Sequence, residues 1–293
     1  MRHDDSASFV PSATRRQYLQ LTGGALASLA LLPNSRVLGA TDAQSSHPKS
    51  PIPFHLGLAS YTLRNFDLDR ALAITHRVGL DRICLKSMHL PLDSKPAEIA
   101  AATDKVKRAG LVLYGGGVIS MKNERDIAQA FEYAKAAGMQ TITAAPVPEV
   151  LPALDEHVKK YDITVAIHNH GPGDRYFPTP QNVYDAVKSL DHRIGLCIDI
   201  GHTVRVGADL LGSIRNCGDR LFDLHIKDVT AATPQGKGTP VGRGIIDIPG
   251  LVRTLIVVKF KGVAAFEYEE QPDDPLPGLA ESVGFMKGVL ASI

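Results

Sequence analysis

Two histidines at the end of an apolar run are the first residues of the chain that suggest chemistry. The segment Val165–Gly171 has the sequence VAIHNHG, which places His168 and His170 two residues apart just before a glycine. Side chains two residues apart lie on one face of a strand, so both imidazoles should point the same way. An imidazole can bind a metal ion, transfer a proton or only form a hydrogen bond, and this segment alone leaves the three roles open.

Three later apolar runs also end in polar residues. Asp199 ends IGLCID, His225 lies in FDLHIK, and Glu267 lies in VAAFEY. In FDLHIK the apolar side chains alternate with Asp223, His225 and Lys227, so His225 should face away from the apolar side of its strand. The same alternation sets Asp199 and Glu267 opposite the apolar residues of their own runs.

These residues need elements that bring their strand ends together. From Phe54 onward, eight short β-rich runs alternate with segments of helical periodicity. The runs are 55–60, 82–86, 111–116, 141–146, 164–169, 194–199, 222–227 and 263–268. Eight such units over residues 54–293 predict an α/β fold, a single (β/α)8 TIM barrel. An open doubly wound sheet is the alternative, but no Gly-x-Gly-x-x-Gly turn follows the first run.

In such a barrel the C-terminal strand ends form one shared face, which is where chemistry is found. His168, Asp199, His225 and Glu267 would therefore converge on one small space. Buried charges without partners are costly, and two carboxylates with two imidazoles are a donor set that a divalent cation joins. The pattern predicts a metal site.

Four motifs and the opening strand resemble a known family. The chain is similar to the sugar phosphate isomerase/epimerase family, the xylose isomerase-like TIM barrels, over the whole body from Phe54, including LGLASYTLR. The motifs are CIDIGH (197–202), LHIKD (224–228), VGRG (241–244) and FEYEE (266–270). The resemblance implies an isomerase or epimerase of a small-molecule keto sugar, which removes a proton next to a carbonyl and forms a metal-stabilised enediolate. It also implies one divalent metal ion (Mn, Mg, Co or Zn), with Asp199, His225 and Glu267 as matching ligands.

The resemblance and the position of other residues suggest contacts with substrate. His202 matches a substrate-contacting histidine that follows the metal aspartate, and Arg243 lies in the loop of a basic substrate contact. The other substrate-binding candidates are His170, Lys86 and His89, of which the last two could equally face solvent. Lys227 and Asp228 are expected either to support the metal ligands as a pair or to form a salt bridge at the barrel rim.

The strand-five position departs from the family. The family commonly has Glu-Asn-His there, whereas this chain has His168-Asn169-His170. His168 could still bind the metal as a neutral ligand and share acid–base catalysis with Glu267, and two carboxylates would balance the charge of a divalent cation. Losing one glutamate weakens the epimerase interpretation. A lyase or hydratase acting on a 3-keto-glycoside is the first alternative, and a non-catalytic sugar-binding barrel is the second.

The composition of the chain narrows the classes of function further. The chain has 293 residues and a formal net charge of +1, which gives no general attraction to nucleic acid or to a membrane surface. This balance argues against an apurinic-site endonuclease, another class in the same superfamily. No apolar run is long enough to span a membrane. A homo-oligomer stays possible, since nothing in the helical segments identifies a subunit interface.

The N-terminal region resembles a twin-arginine export signal. Arg15 and Arg16 precede a modest apolar stretch in SATRRQYLQLTGGALASLALLP. We expect residues 1–42 to be a signal that is removed, after recognition of Arg15 and Arg16 by the export machinery, and residues 43–53 to be a linker. The protein would then be periplasmic or otherwise exported. A disordered basic tail is the alternative.

Overall fold

The short apolar runs form strands that pair in parallel and close into a barrel. The computed structural model describes residues 52–293. Its strands are β1 (His55–Ala59), β2 (Arg82–Leu85), β3 (Val112–Met121), β4 (Thr141–Pro146), β5 (Thr164–His168), β6 (Ile194–Asp199), β7 (Leu221–Ile226), β8 (Asp228–Val229), β9 (Gly238–Thr239) and β10 (Val263–Phe266). The barrel order is β1-β10-β7-β6-β5-β4-β3-β2, with β8 and β9 as a separate antiparallel pair. The predicted (β/α)8 barrel is confirmed.

Helices connect the strands on the outside of the barrel. They are α1 (Leu68–Arg77), α2 (Pro96–Arg108), α3 (Glu124–Ala136), α4 (Leu151–Tyr161), α5 (Pro180–Val187), α6 (Ile200–Arg205), α7 (Leu210–Cys217), α8 (Ile248–Val257) and α9 (Leu276–Ser292). Side-chain caps define several starts; for example, Asp67 accepts a hydrogen bond from the Arg70 amide at 2.8 Å. None of the helices within residues 52–293 has the length and hydropathy needed to cross a membrane.

The two faces of each barrel strand have different surroundings. Leu224 and Phe266 belong to the large apolar core that includes residues of the helices. Ala265, which alternates with Phe266, belongs to a second, small cluster with Tyr114. Asp223 is also fully buried and accepts a hydrogen bond from the Tyr114 hydroxyl at 3.3 Å. The apolar side chains therefore pack outward, and the polar ones share the inner face, as the alternation predicted.

The register brings each polar strand end within two residues of its neighbour along the barrel. His168 pairs with Cys197, Asp199 pairs with His225, and His225 pairs with Ala265, two residues before Glu267. The predicted export signal at 1–42, with Arg15 and Arg16, lies outside the described residues, as does the predicted linker apart from its last two residues.

Candidate metal centre

Four side chains from consecutive positions around the barrel meet at its C-terminal face. We call His168, Asp199, His225 and Glu267 the quartet; they come from β5, β6, β7 and the residue after β10. One ligand atom from each lies within 4.8 Å of the other three. None of the four is more than 3% exposed. The structure thus brings together the four residues that the sequence predicted as metal ligands.

Local contacts hold Asp199 and its strand end in place. Asp199 begins α6 and accepts a hydrogen bond through Oδ1 from the His202 amide at 2.7 Å. This leaves Oδ2 3.5 Å from Nε2 of His168. The Asn169 side chain accepts from the Asp199 amide at 3.0 Å and donates to Thr203 at 3.2 Å. The β5 and β6 ends are therefore tied together by the residue next to His168.

The spacing of the quartet suits a metal ion. Nε2 of His168 lies 3.0 Å from Nδ1 of His225, which lies 3.1 Å from Oε2 of Glu267. Ligand atoms on neighbouring corners of a site with metal–ligand bonds of about 2.0–2.2 Å lie about 3.0–3.5 Å apart. Nδ1 of His168 and Nε2 of His225 are buried without a hydrogen-bond partner among the described residues. Two nitrogen and two oxygen donors fit Zn, Co or Mn.

The protonation states are those that metal ligands require. Burial lowers the pKa of His168 well below its usual range, so its ring is neutral. Burial alone would raise the pKa of Asp199, but Lys227 and the neighbouring imidazoles hold it well below its usual range. Burial alone would also raise the pKa of Glu267, but His225 and two lysines hold it well below its usual range. A neutral imidazole and ionised carboxylates are the metal-binding forms of these side chains.

Two largely buried lysines contact the same carboxylates. Nζ of Lys86 lies 2.8 Å from Oε1 of Glu267. Nζ of Lys227 lies 3.0 Å from Oδ2 of Asp199, 3.0 Å from Oε2 of Glu267 and 2.7 Å from Oε1 of Glu269. The carboxylates raise the pKa of both lysines, although burial opposes this. The expected charge balance of two carboxylates against one divalent cation is therefore incomplete, because two ammonium groups and Glu269 also contribute.

Two predicted substrate contacts lie beside the quartet. The His170 ring is 4.4 Å from the His168 ring between centroids, and its Nδ1 is 3.3 Å from Oδ2 of Asp174. Nε2 of His202 lies 3.9 Å from Oδ2 of Asp199. Together with Lys86, these histidines are positioned to meet a molecule bound at the quartet.

Two other predicted substrate contacts are not brought to the quartet. His89 is buried, and its ring nitrogens contact Oγ of Ser60 at 2.8 Å and the Phe66 carbonyl at 3.1 Å. Arg243 is 65% exposed and forms an ion pair with Glu281. Their roles in substrate binding stay predictions that this geometry does not favour.

Lys227 and Asp228 have separate partners. Lys227 contacts the carboxylates described above, whereas Asp228 accepts backbone hydrogen bonds from Val229, Gly242, Gly244 and Ile246. The structure gives no ion pair between the two residues within 52–293. Lys227 contacts the ligand carboxylates and Asp228 organises the loop beside them, so the two do not form the expected pair or salt bridge.

Sequence reasoning did not assign Glu269 to the site. Its signal was present, because Glu269 lies two residues after Glu267 and so shares the inner face. What could not be foreseen was the 2.7 Å contact with Lys227, which depends on how a long lysine side chain folds over the quartet.

A cavity of about 200 Å³ adjoins the quartet. Glu267 and Lys227 line it together with His202, and other walls come from the β8–β9 hairpin (residues 228–239) and from Phe266 to Glu270. The quartet therefore borders a space that can admit a small molecule.

The chain matches a known family by sequence. Residues 121–289, more than half of the chain, match the family model described as xylose isomerase-like TIM barrel. A search of curated protein sequences found no significant match.

Solved structures with the same fold include sugar enzymes. The 3-keto-D-glucoside 4-epimerase YcjR from E. coli is 14% identical, with a TM-score of 0.67 over 80% of this chain and 99% of that one. An L-ribulose 3-epimerase is 15% identical, with a TM-score of 0.67 over 82% and 95%. The probable 3-DHS dehydratase AsbF from Bacillus anthracis is 12% identical, with a TM-score of 0.66 over 80% and 99%. At these identities the likeness shows the fold alone.

Proposed function

Because the chain belongs to the xylose isomerase-like TIM barrel family, we propose that it is a divalent-metal-dependent isomerase or epimerase of a keto sugar. The observation that carries this proposal is the quartet, whose ligand atoms lie buried within 4.8 Å of one another. The quartet would hold one ion of Mn, Mg, Co or Zn. When bound, the ion would polarise the sugar carbonyl and so acidify the neighbouring C–H bond.

Glu267 and His168 are the groups proposed to move the proton. Glu267 is ionised, and its two oxygens are oriented by Lys86 and Lys227. The neutral ring of His168 has one nitrogen with a lone pair, so it can accept a proton only while that nitrogen is not bound to the metal. One of the pair removes the proton beside the carbonyl. Its return to the adjacent carbon gives an isomerase, and its return to the opposite face gives an epimerase.

A lyase or hydratase acting on a 3-keto-glycoside is the second candidate. One observation supports this candidate. Strand five supplies the imidazole of His168 and no glutamate, so Glu267 is the single carboxylate base of the proposed pair. Proton removal beside the carbonyl can then lead to loss of a group at the next carbon. Structural neighbours named as a 3-keto-D-glucoside epimerase and as a dehydratase are consistent with either outcome on this fold.

The reaction can be identified by deuterium incorporation. The full chain, loaded with Mn²⁺, is incubated with keto sugars and with 3-keto-glycosides in D₂O. We expect deuterium at the carbon beside the carbonyl, together with an isomer or epimer of the sugar. Release of the aglycone would instead identify the lyase or hydratase. Sugar binding without any deuterium uptake would overturn both and identify a non-catalytic sugar-binding barrel.

Metal content tests the centre separately from turnover. We expect one Mn²⁺ per chain by isothermal titration calorimetry, and at least tenfold weaker binding for His168→Ala, because a ligand is lost. His192→Ala is the matched control, since its side chain is 83% exposed. Unchanged affinity in His168→Ala would remove His168 from the ligand set. More than one tightly bound ion per chain would favour an endonuclease-like site.

A further inference from the structure

The cavity beside the quartet extends away from the proposed reaction centre. Glu267 and Lys227 line it on the side of the quartet, and Lys237 and Thr239 line it from the β8–β9 hairpin. Its volume of about 200 Å³ is several times the share of one water molecule in liquid water, about 30 Å³. The space is therefore large enough for part of an organic ligand.

One set of wall residues is apolar or aromatic. Tyr268 is the aromatic side chain of this part of the lining, with Val229 and Val241 beside it. Small ligands are commonly bound in such spaces by apolar and aromatic walls with a few polar groups that fix orientation. This lining suits the carbon face of a ring.

The polar wall residues have hydrogen-bonding capacity left over. Nε of Arg205 and Nδ1 of His202 are buried without a hydrogen-bond partner among the described residues. The Arg205 guanidinium otherwise donates to the Pro234 carbonyl at 2.7 Å. The side chains of Lys237 and Glu270 form neither a hydrogen bond nor an ion pair within residues 52–293. Donors and an acceptor are thus available for hydroxyl groups.

We propose that this cavity binds a second, hydroxylated ring that is attached to the reacting sugar. The natural substrate would then be a glycoside rather than a free monosaccharide. The inference rests on the proposed function in one respect, namely that the reacting sugar lies at the quartet. Because Glu267 belongs to the quartet and also lines the cavity, a substituent on that sugar would lie beside the cavity. A second sugar and a phenolic aglycone share the required chemistry.

Binding can be measured without turnover. Titration calorimetry of the Mn²⁺-loaded full chain would compare three probes: methyl 3-keto-glucoside, 3-ketocellobiose and 4-hydroxyphenyl 3-keto-glucoside. We expect at least one two-ring probe to bind tenfold more tightly than the methyl glycoside, a difference of about 1.4 kcal/mol. The two two-ring probes distinguish a second sugar from a phenolic ring. Equal affinity for all three, or no binding of any, would overturn the proposal.

Variants locate the extra affinity in the cavity. Thr239→Trp should fill the space and remove the tenfold preference while leaving the affinity for the methyl glycoside within twofold. Thr233→Trp is the matched control, because Thr233 is exposed on the same hairpin and does not line the cavity. If Thr239→Trp fails to fold, Lys237→Ala takes its place, because Lys237 is on the surface. This variant should bind the two-ring probes about threefold more weakly.

Equal loss for all probes in these variants, or no loss at all, would overturn the cavity assignment. Deuterium uptake by methyl 3-keto-glucoside is recorded in parallel. Absence of uptake with the two-ring preference intact would count against the proposed reaction and leave the cavity assignment standing.

Discussion

The Lys227 ammonium group contacts the same carboxylate oxygens that would bind the metal. It lies 3.0 Å from both Asp199 and Glu267, and 2.7 Å from Glu269, which offers it another partner. A positive charge at this distance opposes the binding of a second cation, because the two repel each other in a poorly solvated site. Lys227 therefore orients the carboxylates and would limit the affinity for the proposed metal.

Replacing Lys227 by methionine should tighten metal binding. Lys227→Met removes the opposing charge and keeps much of the side-chain length, so we expect Mn²⁺ affinity to rise at least tenfold by titration calorimetry. Lys188→Met is the control, since Lys188 is exposed and forms an ion pair with Asp185 on the surface. A weaker metal affinity in Lys227→Met would mean that orientation of the carboxylates outweighs repulsion.

Removing the negative charge of Glu267 tests its catalytic role. Glu267→Gln keeps the shape of the side chain but cannot take up a proton, so deuterium exchange should fall at least about 100-fold. The circular dichroism spectrum should stay that of the wild type. Glu156→Gln, at an exposed position of α4, should exchange normally. If Glu267→Gln exchanged at the wild-type rate, Glu267 would not be the base and His168 would take that role alone.

At the scale of elements, Asp228 fixes the loop between β7 and α8. Its Oδ1 accepts from the amides of Val229 and Ile246 at 2.9 and 3.2 Å. Its Oδ2 accepts from those of Gly242 and Gly244 at 2.9 and 3.0 Å. One buried carboxylate thus ties the β8–β9 hairpin to the segment that follows it, and so shapes the cavity wall.

Loss of these hydrogen bonds should destabilise the protein. Asp228→Ala leaves several backbone amides without an acceptor, and we expect the free energy of unfolding in urea to fall by about 3 kcal/mol. Asp228→Asn, which keeps the shape and one acceptor oxygen, should cost less. An exposed aspartate gives the comparison, and Asp185→Ala should change stability by less than about 0.5 kcal/mol. Equal stability of Asp228→Ala and wild type would contradict this role.

At the scale of the whole molecule, the proposed export route would carry the folded protein together with the proposed metal ion. Supporting it, Arg15 and Arg16 precede an apolar stretch, and the predicted barrel begins only after residue 53. The twin-arginine route carries proteins already folded. A metal held by groups from β5 to β10 requires the closed barrel, so loading before export is compatible with this route.

The export proposal has a direct test. Replacing both Arg15 and Arg16 by lysine should retain the protein in the cytoplasm of a bacterial host with a twin-arginine pathway, whereas the wild type should appear in the periplasm, shortened at the N terminus. Fractionation and immunoblotting measure this. Arg2→Lys is the control, since it lies outside the twin-arginine pair. Equal export of all three proteins would refute the proposal.

The sequence by itself determined the barrel and the identity of its polar strand ends. Strand periodicity is local, so the faces of His225 and Glu267 followed from their neighbours alone. Parallel closure places all C-terminal strand ends on one face, so the sequence is sufficient to predict the quartet. One strand differed most: β3 extends to Met121, beyond the predicted run 111–116.

Only the tertiary structure decided which further side chains contact the four residues of the quartet. Lys86 and Lys227 have long flexible side chains, and their contacts with Glu267 depend on packing across strands far apart in the chain. His89 lies in the same loop as Lys86, but its ring contacts Ser60 and the Phe66 carbonyl. The cavity also could not be predicted from the sequence, because its walls come from separate loops that meet only after the barrel closes. The sequence period and the motifs predict which face of a strand a side chain occupies, whereas contacts between loops form only in the folded chain.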